Sequence, residues 1–447
     1  MPEPDRIRAY LETAGEQIRW ERARRVVIRE LRQHLEDQRD AFAAEGREDP
    51  EQLAVEEMGD PVPVGAELDR IHRPKPQWGL LSLTVVIALT GAVLRVWLTA
   101  GWADSGLSVD PTSTALAMVL GCGALLGGYF LDLSFLGRHG RAIYLAALAA
   151  AFLTWQLSPH TGVPVETYSV ILCFPVVYAC WLYTCRGRGW AGLLLAMAGG
   201  VPLAAVCFMT PWVLGLLVLL VSGFVLLLTV CRKDWFGVGR RLPVLFSCAC
   251  AGAIAAGGVF LATRSQSICR RLAAAFSPET DPLGAGWNAL HIRRSLEVSQ
   301  WWGQGNWNSP YPYERMLPNC GSDSLLTTLI YRLGWLPFLL TVLAFVLLVT
   351  WLLVRCLRQK GKLGQLVVTA VALNLALHGA FSVAWNLGFT LTGGAFPLLV
   401  GSTATVIHMG LIGLALSAFR GDNILRDRVC NTDYHPRYRI KVSIQRL

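Results

Sequence analysis

Charge is scarce in this sequence. Asp, Glu, Lys and Arg make up only 16% of its 447 residues, against 53% hydrophobic, which is too little charge to cover a soluble protein of this length. The spacings that mark common chemistries are missing as well. Twelve cysteines lie mostly within apolar runs and form no CxxC or similar pair, so no metal site is expected from them. No Gly-rich phosphate loop, nucleotide fingerprint or serine triad is visible. The N-terminus is polar and charged, and no cleavable signal peptide is expected there. The formal net charge of +9 follows from where the basic residues fall along the chain, and no nucleic-acid partner is expected.

What is abundant is apolar length. About 20 helical residues cross a hydrocarbon core, and ten runs reach that scale: 78–100, 112–132, 141–158, 168–185, 190–208, 211–231, 241–263, 325–354, 365–386 and 395–418. The fold class expected is all-α, a polytopic membrane domain of ten helices over 78–418. Short loops alternate in basic content. Arg138 with Arg141, Arg186 with Arg188, "CRKDWFGVGRR" and "RCLRQKGK" are positive, whereas "GWADSGLSVDPTS", "SPHTGVPVE" and "NLGFTLTGG" carry no Lys or Arg. Lys and Arg mark cytoplasmic loops, so both termini are placed in the cytoplasm, with 419–447 as a basic cytoplasmic tail and 264–323 as a long outer loop.

Residues 1–77 differ in character. "IRWERARRVVIRELRQHLEDQRDAFAAEG" reads as one amphipathic helix with Val27, Leu31, Leu35 and Phe42 on its apolar stripe, ended by Gly46. A shorter helix stopped by Gly59 and Pro61 follows, then a last one before a Pro-rich linker. A basic amphipathic helix can lie on an anionic membrane. The interleaved acids favour a small helical bundle instead, taken as a cytoplasmic domain.

The outer loop raises the functional question. It carries Arg264, Arg270, Arg271, Arg293, Arg294 and Arg315 on the side where positive charge is not needed for topology. The planar guanidinium fork suits phosphate, so either a lipid pyrophosphate or the loop's own Glu279, Asp281, Glu297 and Glu314 satisfies them. The loop ends on "LPNCGSD", with Asp323 at the head of an apolar run, where an acidic residue also serves as a helix cap. Asn374 and His378, one turn apart within a span, either line a polar cavity or hydrogen-bond between helices, and His408 reads as isolated packing. Cys269 and Cys320 share the outer loop, where an oxidising exterior permits a disulfide.

At this loop the sequence resembles the SEDS proteins (shape, elongation, division and sporulation; FtsW, RodA and SpoVE). Their outer loop has an Arg-rich start, a "P…DPLGxGY" run, a Gly-x-Gly turn and "LPExHTDFIF" before "ELG". Here the matches are Pro278, Asp281, Pro282, Gly284, Gly286, Ser295, Gly303, Gly305, Leu317, Pro318, Asp323, Leu333 and Gly334. The family's "QPSE" is echoed by Pro164 and Glu166, and its last-span motif by Asn386, Gly388, Thr392, Gly393 and Pro397. The likeness spans Thr112 to Ala418, while residues 1–77 resemble the helical prefix of some bacterial permease-like membrane proteins.

The resemblance implies a peptidoglycan glycosyltransferase that polymerises lipid II at the outer face of the bacterial inner membrane, in division, cell shape or sporulation. It implies a class B penicillin-binding protein as partner and Mg²⁺ as the expected metal, without a site for it. Asp323 becomes the catalytic carboxylate, supported by Glu166, with Arg270, Arg271, Arg293, Arg294 and Asn386 as substrate-binding residues. Joining a sugar hydroxyl to an anomeric carbon bearing pyrophosphate needs one base and nearby cations, unlike the paired carboxylates of glycoside hydrolysis.

The family pattern is incomplete. Its "HTD" is Gly321–Ser322–Asp323, its paired Glu before "LG" is Tyr331–Arg332, its Lys after "QPSE" falls on Ser169, and its "SYGGS" is Val400 to Ala404. Two alternatives therefore stand beside the enzyme: an inactive scaffold or regulator of wall synthesis, and a flippase for lipid-linked precursors.

Overall fold

The charged N-terminal stretch folds into four helices, α1 (Arg6–Glu16), α2 (Glu21–Ala44), α3 (Pro50–Met58) and α4 (Pro61–His72). They close on a small core of Ile7, Tyr10, Leu11, Ala14, Leu35 and Ala54, flanked by Leu31 and Phe42, and on a second cluster of Ile18, Ala23 and Val27. The stripe read from the sequence is thus the buried face of a bundle. The long helix starts at Glu21 rather than Ile18, because the Arg19 N–H donates to Asp69 of α4 (3.0 Å) instead of bonding back into a helix. Burial alone would raise the Asp69 carboxyl. The hydrogen bonds from Arg73 and from the Arg19 N–H outweigh it and hold the group below the ordinary carboxylate range. Gly46 and Gly59 terminate α2 and α3 as expected.

In this computed structural model the described residues are 6–74, 76–100, 109–157, 165–210, 212–308, 311–317, 319–359 and 361–421. Pro164, Pro318, the first outer loop over 101–108 and the tail from 422 lie outside them. The chain divides into two units, one up to Lys75 and one over Pro76–Arg420. The second unit is built from α5 (Trp78–Thr99), α6 (Pro111–Phe130), α7 (Leu133–Arg138), α8 (Gly140–Leu157), α9 (Val165–Ile171), α10 (Phe174–Thr184) and α11 (Gly189–Ala198). It continues with α12 (Gly200–Met209), α13 (Val213–Arg232), α14 (Arg241–Arg264), α15 (Gln266–Phe276), α16 (Trp287–Glu297), α17 (Tyr313–Met316), α18 (Leu325–Leu333), α19 (Trp335–Leu357), α20 (Lys362–Asn386) and α21 (Thr403–Arg420). No strand occurs among the described residues.

Nine of these stretches are long and apolar enough to cross a membrane: α5, α6, α8, α11 with α12 as one run, α13, α14, α19, α20 and α21. Their boundaries follow the runs read from the sequence, with three differences. The run at 168–185 is divided into α9 and α10 around Leu172 and Cys173, leaving α10 only 11 residues. Pro175 in the first turn of α10 has no N–H to give back, the Val176 N–H turns to the Cys173 carbonyl (3.0 Å), and the Leu172 carbonyl accepts from Asn374 Nδ2 (2.9 Å). The run at 325–354 is two helices, because Gly334 takes φ +99 between α18 and α19. The run at 395–418 is helical only from Thr403, since Leu398 and Gly401 adopt positive φ.

Close helix contact places the second and last spans. A Cβ at Gly413 of α21 would stand 2.1 Å from the Leu125 carbonyl of α6, and one at Gly128 of α6 would stand 2.5 Å from the Gly410 carbonyl. Small residues at such crossings let backbones approach within a bilayer, where apolar burial gives no preference for protein over lipid. Gly334 tests the division between α18 and α19. Its Cβ would lie 2.6 Å from the Trp301 carbonyl, and its φ is strained for any other residue. Gly334→Ala is expected to cost about 1–3 kcal/mol, read as a lower thermal midpoint in detergent by tryptophan fluorescence. An unchanged midpoint would show that glycine does not fix this break.

Candidate functional site

The loop carrying Asp323 is a tight turn held by three helices. It begins with Asn319 at φ +57, whose carbonyl accepts from the N–H groups of Ser322 (2.9 Å) and Ser324 (3.0 Å). Thr328 of α18 donates its hydroxyl to the Cys320 carbonyl (3.1 Å). Arg95 of α5 donates Nε to the Gly321 carbonyl (2.7 Å). Asn386, at the end of α20, donates Nδ2 to the Asp323 carbonyl (2.8 Å), and Trp385 donates Nε1 to Ser324 Oγ (3.4 Å). Three elements, α18 directly after the turn and α5 and α20 far from it in sequence, therefore fix the backbone around one carboxylate.

Asp323 itself is half-buried. Its carboxylate makes no hydrogen bond or ion pair among the described residues, and burial holds it above the ordinary carboxylate range. It is not a helix cap. Ser324 occupies that position of α18 and no side chain caps the helix. An ionisable group left unpaired and partly desolvated in this way marks a candidate functional site.

Asn386 takes a different part from the one expected. It is wholly buried, Nδ2 also donates to the Ser382 carbonyl (2.8 Å), and Oδ1 accepts from the N–H and the hydroxyl of Thr327, both at 2.8 Å. All its polar capacity is spent on seating α18 against α20, so it positions Asp323 and has nothing left to offer a substrate. Sequence reading missed this function, although Asn374, His378, Ser382 and Asn386 recur every fourth residue and form one polar stripe along α20. Asn374 and His378 serve helix contacts, with Asn374 bonded to Leu172 and the His378 Nδ1–H donating to the Asn374 carbonyl (2.9 Å). His408 is not isolated: its ring lies 5.7 Å from that of His378.

No hydrogen bond or ion pair joins the outer-loop arginines to Asp323 among the described residues. Arg293 of α16 faces Glu279 (3.9 Å) and the Phe276 carbonyl (3.4 Å). Arg294 donates to the Asn308 carbonyl (3.3 Å) and lies over the Trp307 ring. Arg270 and Arg271 are exposed on α15, and Arg315 is exposed on α17. Glu166, in the first turn of α9, is exposed and joined neither to Asp323 nor to these arginines among the described residues. Cys269 and Cys320 are both free thiols, one exposed and one buried.

Other family-like positions are structural. The Asp281 carboxylate accepts from the Ala285 N–H (3.0 Å), shaping the turn into α16. Gly303 and Gly305 donate their N–H groups to the carbonyls of Leu333 (2.9 Å) and Tyr331 (2.7 Å). Tyr331 stacks on Tyr313 with ring centroids 4.1 Å apart, so an apolar contact occupies the place of the family's carboxylate. Mg²⁺, the expected metal, finds no group of three His, Cys, Asp or Glu side chains among the described residues.

Comparison with known proteins agrees with this architecture. The profile of the FtsW/RodA/SpoVE family, described as cell cycle protein, matches residues 170–423, more than half of the chain. Two relatives are probable peptidoglycan glycosyltransferases FtsW. That of Trichlorobacter lovleyi is 24% identical over 36% of this chain and 43% of its own length; that of Alteromonas naphthalenivorans is 31% identical over 28% and 23%. The alignments thus span less than half the length of either relative. In structure, a chain from a study of polymerization and crosslinking by a peptidoglycan synthase complex superposes with TM-score 0.59 at 18% identity, covering 78% of this chain and 99% of that one. The rod shape determining protein RodA of Thermus thermophilus gives TM-score 0.50 at 16% identity, covering 78% and 97%. The chain belongs to the FtsW/RodA/SpoVE family of cell cycle proteins.

Proposed function

We propose that the protein polymerises glycan strands from lipid II, with Asp323 as general base, at the outer face of a bacterial cell membrane. The observation that carries this reading is the Asp323 carboxylate: half-buried, with no hydrogen bond or ion pair among the described residues, and mounted on a turn that α5, α18 and α20 hold still. In the reaction a sugar hydroxyl oxygen attacks the anomeric carbon of a second lipid-linked sugar. The carbon–oxygen bond to pyrophosphate breaks, the pyrophosphate leaves as an anion, and the hydroxyl proton passes to Asp323. No acid is required for that leaving group, so one carboxylate suffices. A class B penicillin-binding protein is the expected partner, and both termini are placed in the cytoplasm by the basic alternate loops. Glu166, at the start of α9, is assigned a supporting polar contact to substrate. Among the described residues no group of three possible ligands stands ready for Mg²⁺, and no step depends on it.

The test is polymerisation of labelled lipid II by the purified protein, with and without a class B partner, beside Asp323→Ala. Loss of a general base is expected to slow the reaction by about 10²–10⁴-fold. Equal rates in wild type and variant would remove Asp323 from the chemistry. Bound lipid II without polymer from either protein would favour the scaffold or flippase.

Burial of Asp323 also sets a pH dependence. As a base the group must be ionised, so the rate is expected to rise with pH through a midpoint above the ordinary carboxylate range. Stability runs the other way. A carboxyl whose folded pKa is raised contributes stability that is fully present below its unfolded pKa and lost as pH rises through the folded one. Asp323→Asn is therefore expected to raise the thermal midpoint at neutral pH, with the gain disappearing in acid. A gain that persists unchanged in acid would assign the stabilisation to something other than the buried charge.

A further inference from the structure

We propose that Arg95, rather than any arginine of the outer loop, grips the phosphate of the lipid-linked substrate; the class of ligand rests on the reading of the Asp323 site given above. Arg95 lies one turn from the end of α5, within the apolar run "GAVLRVWL". A charge inside a membrane span is costly and is retained where it serves a site. Its Nε donates to the Gly321 carbonyl (2.7 Å), two residues before Asp323. Its Nη1 donates to the carbonyls of Val400 and Gly401, in the segment ahead of α21. These are neutral acceptors. They fix the plane of the guanidinium and leave its charge uncompensated, and no ion pair reaches it among the described residues. Among the described residues Nη2 donates to no group, and the residue is only half-buried.

The surroundings sharpen the contrast with the outer loop. Thr99, one turn further along α5, donates its hydroxyl to the Arg95 carbonyl (2.9 Å) and accepts the Val109 N–H (3.4 Å), tying the head of the next span to the same corner. Arg293 and Arg294 already have acceptors and an aromatic partner, while Arg270 and Arg271 stand in the open, where salt screens them. A partly desolvated cation with fixed orientation attracts phosphate more strongly than an exposed one. Because the same turn bears both Gly321 and Asp323, Arg95 would hold the pyrophosphate in register with the base while negative charge grows on the leaving oxygen.

The experiment uses the full chain in lipid nanodiscs. Affinities for undecaprenyl pyrophosphate, undecaprenol and inorganic pyrophosphate are measured by native mass spectrometry for wild type, Arg95→Gln, Arg95→Lys and Asp323→Asn. Wild type is expected to prefer the pyrophosphate lipid to the neutral one by at least about tenfold, and Arg95→Gln to lose most of that preference, about 1.4 kcal/mol for each factor of ten, while undecaprenol binds as before. An equal loss for both lipids is what a purely structural strut gives, and it would overturn the proposal, as would an unchanged preference. If Arg95→Gln fails to fold, Arg95→Lys decides: removal of the planar fork is expected to reduce the preference about threefold or more, and full wild-type preference would sink the idea. Inorganic pyrophosphate binding as tightly as the lipid would reassign the ligand to a free anion. Asp323→Asn separates the two readings, because it should abolish polymer formation and keep the lipid preference. A wild type that makes no polymer but still shows the Arg95-dependent preference would end the catalytic reading and leave the phosphate site standing.

Discussion

A carbonyl released from a helix inside a bilayer has no water to accept from, and leaving it bare costs several kcal/mol. That constraint organises the membrane unit. Where α9 gives way to α10, Asn374 supplies the missing donor to Leu172. Where α11 gives way to α12, the Tyr144 hydroxyl donates to the Gly199 carbonyl (2.8 Å). Gln359 reaches the Ala418 carbonyl near the end of α21 (2.9 Å). Arg95 and Asn386 do the same for the turns around Gly401 and Asp323. The irregular backbone that a site requires is affordable in lipid only because polar side chains from other helices complete its hydrogen bonds.

The same economy explains why Asp323 is left alone. Donors aimed at its turn contact main-chain carbonyls, so the backbone is rigid while the carboxylate keeps its lone pairs. Preorganisation of this kind keeps a reactive group in place without neutralising it. Replacement of the family's carboxylate by Tyr331 fits the pattern. The ring completes an aromatic cluster with Tyr313 and Trp307 that steadies the outer loop against α18.

The candidate site was only half legible before folding. Asp323 could be singled out from its place at the head of an apolar run and from the "LPNCGSD" motif, both local features. The arginines could be counted but not ranked, because an exposed guanidinium and one held against carbonyls look alike in sequence. Asn386 was visible as a motif position, yet its bonds to Thr327 join residues 59 apart, and Arg95, overlooked in the first span, meets Gly321 across 226 residues.

The sequence by itself determined the helical class, the membrane-spanning character, the edges of most spans and the separate charged bundle. Those follow from apolar length, period and stop residues, which act over a few turns of helix. Tertiary structure decided where spans break, which polar residue serves which freed carbonyl, that His408 faces His378, and that α18 is a separate helix seated on α20. Each of these depends on a donor and an acceptor, or two rings, meeting from distant parts of the chain, and no local pattern encodes that meeting.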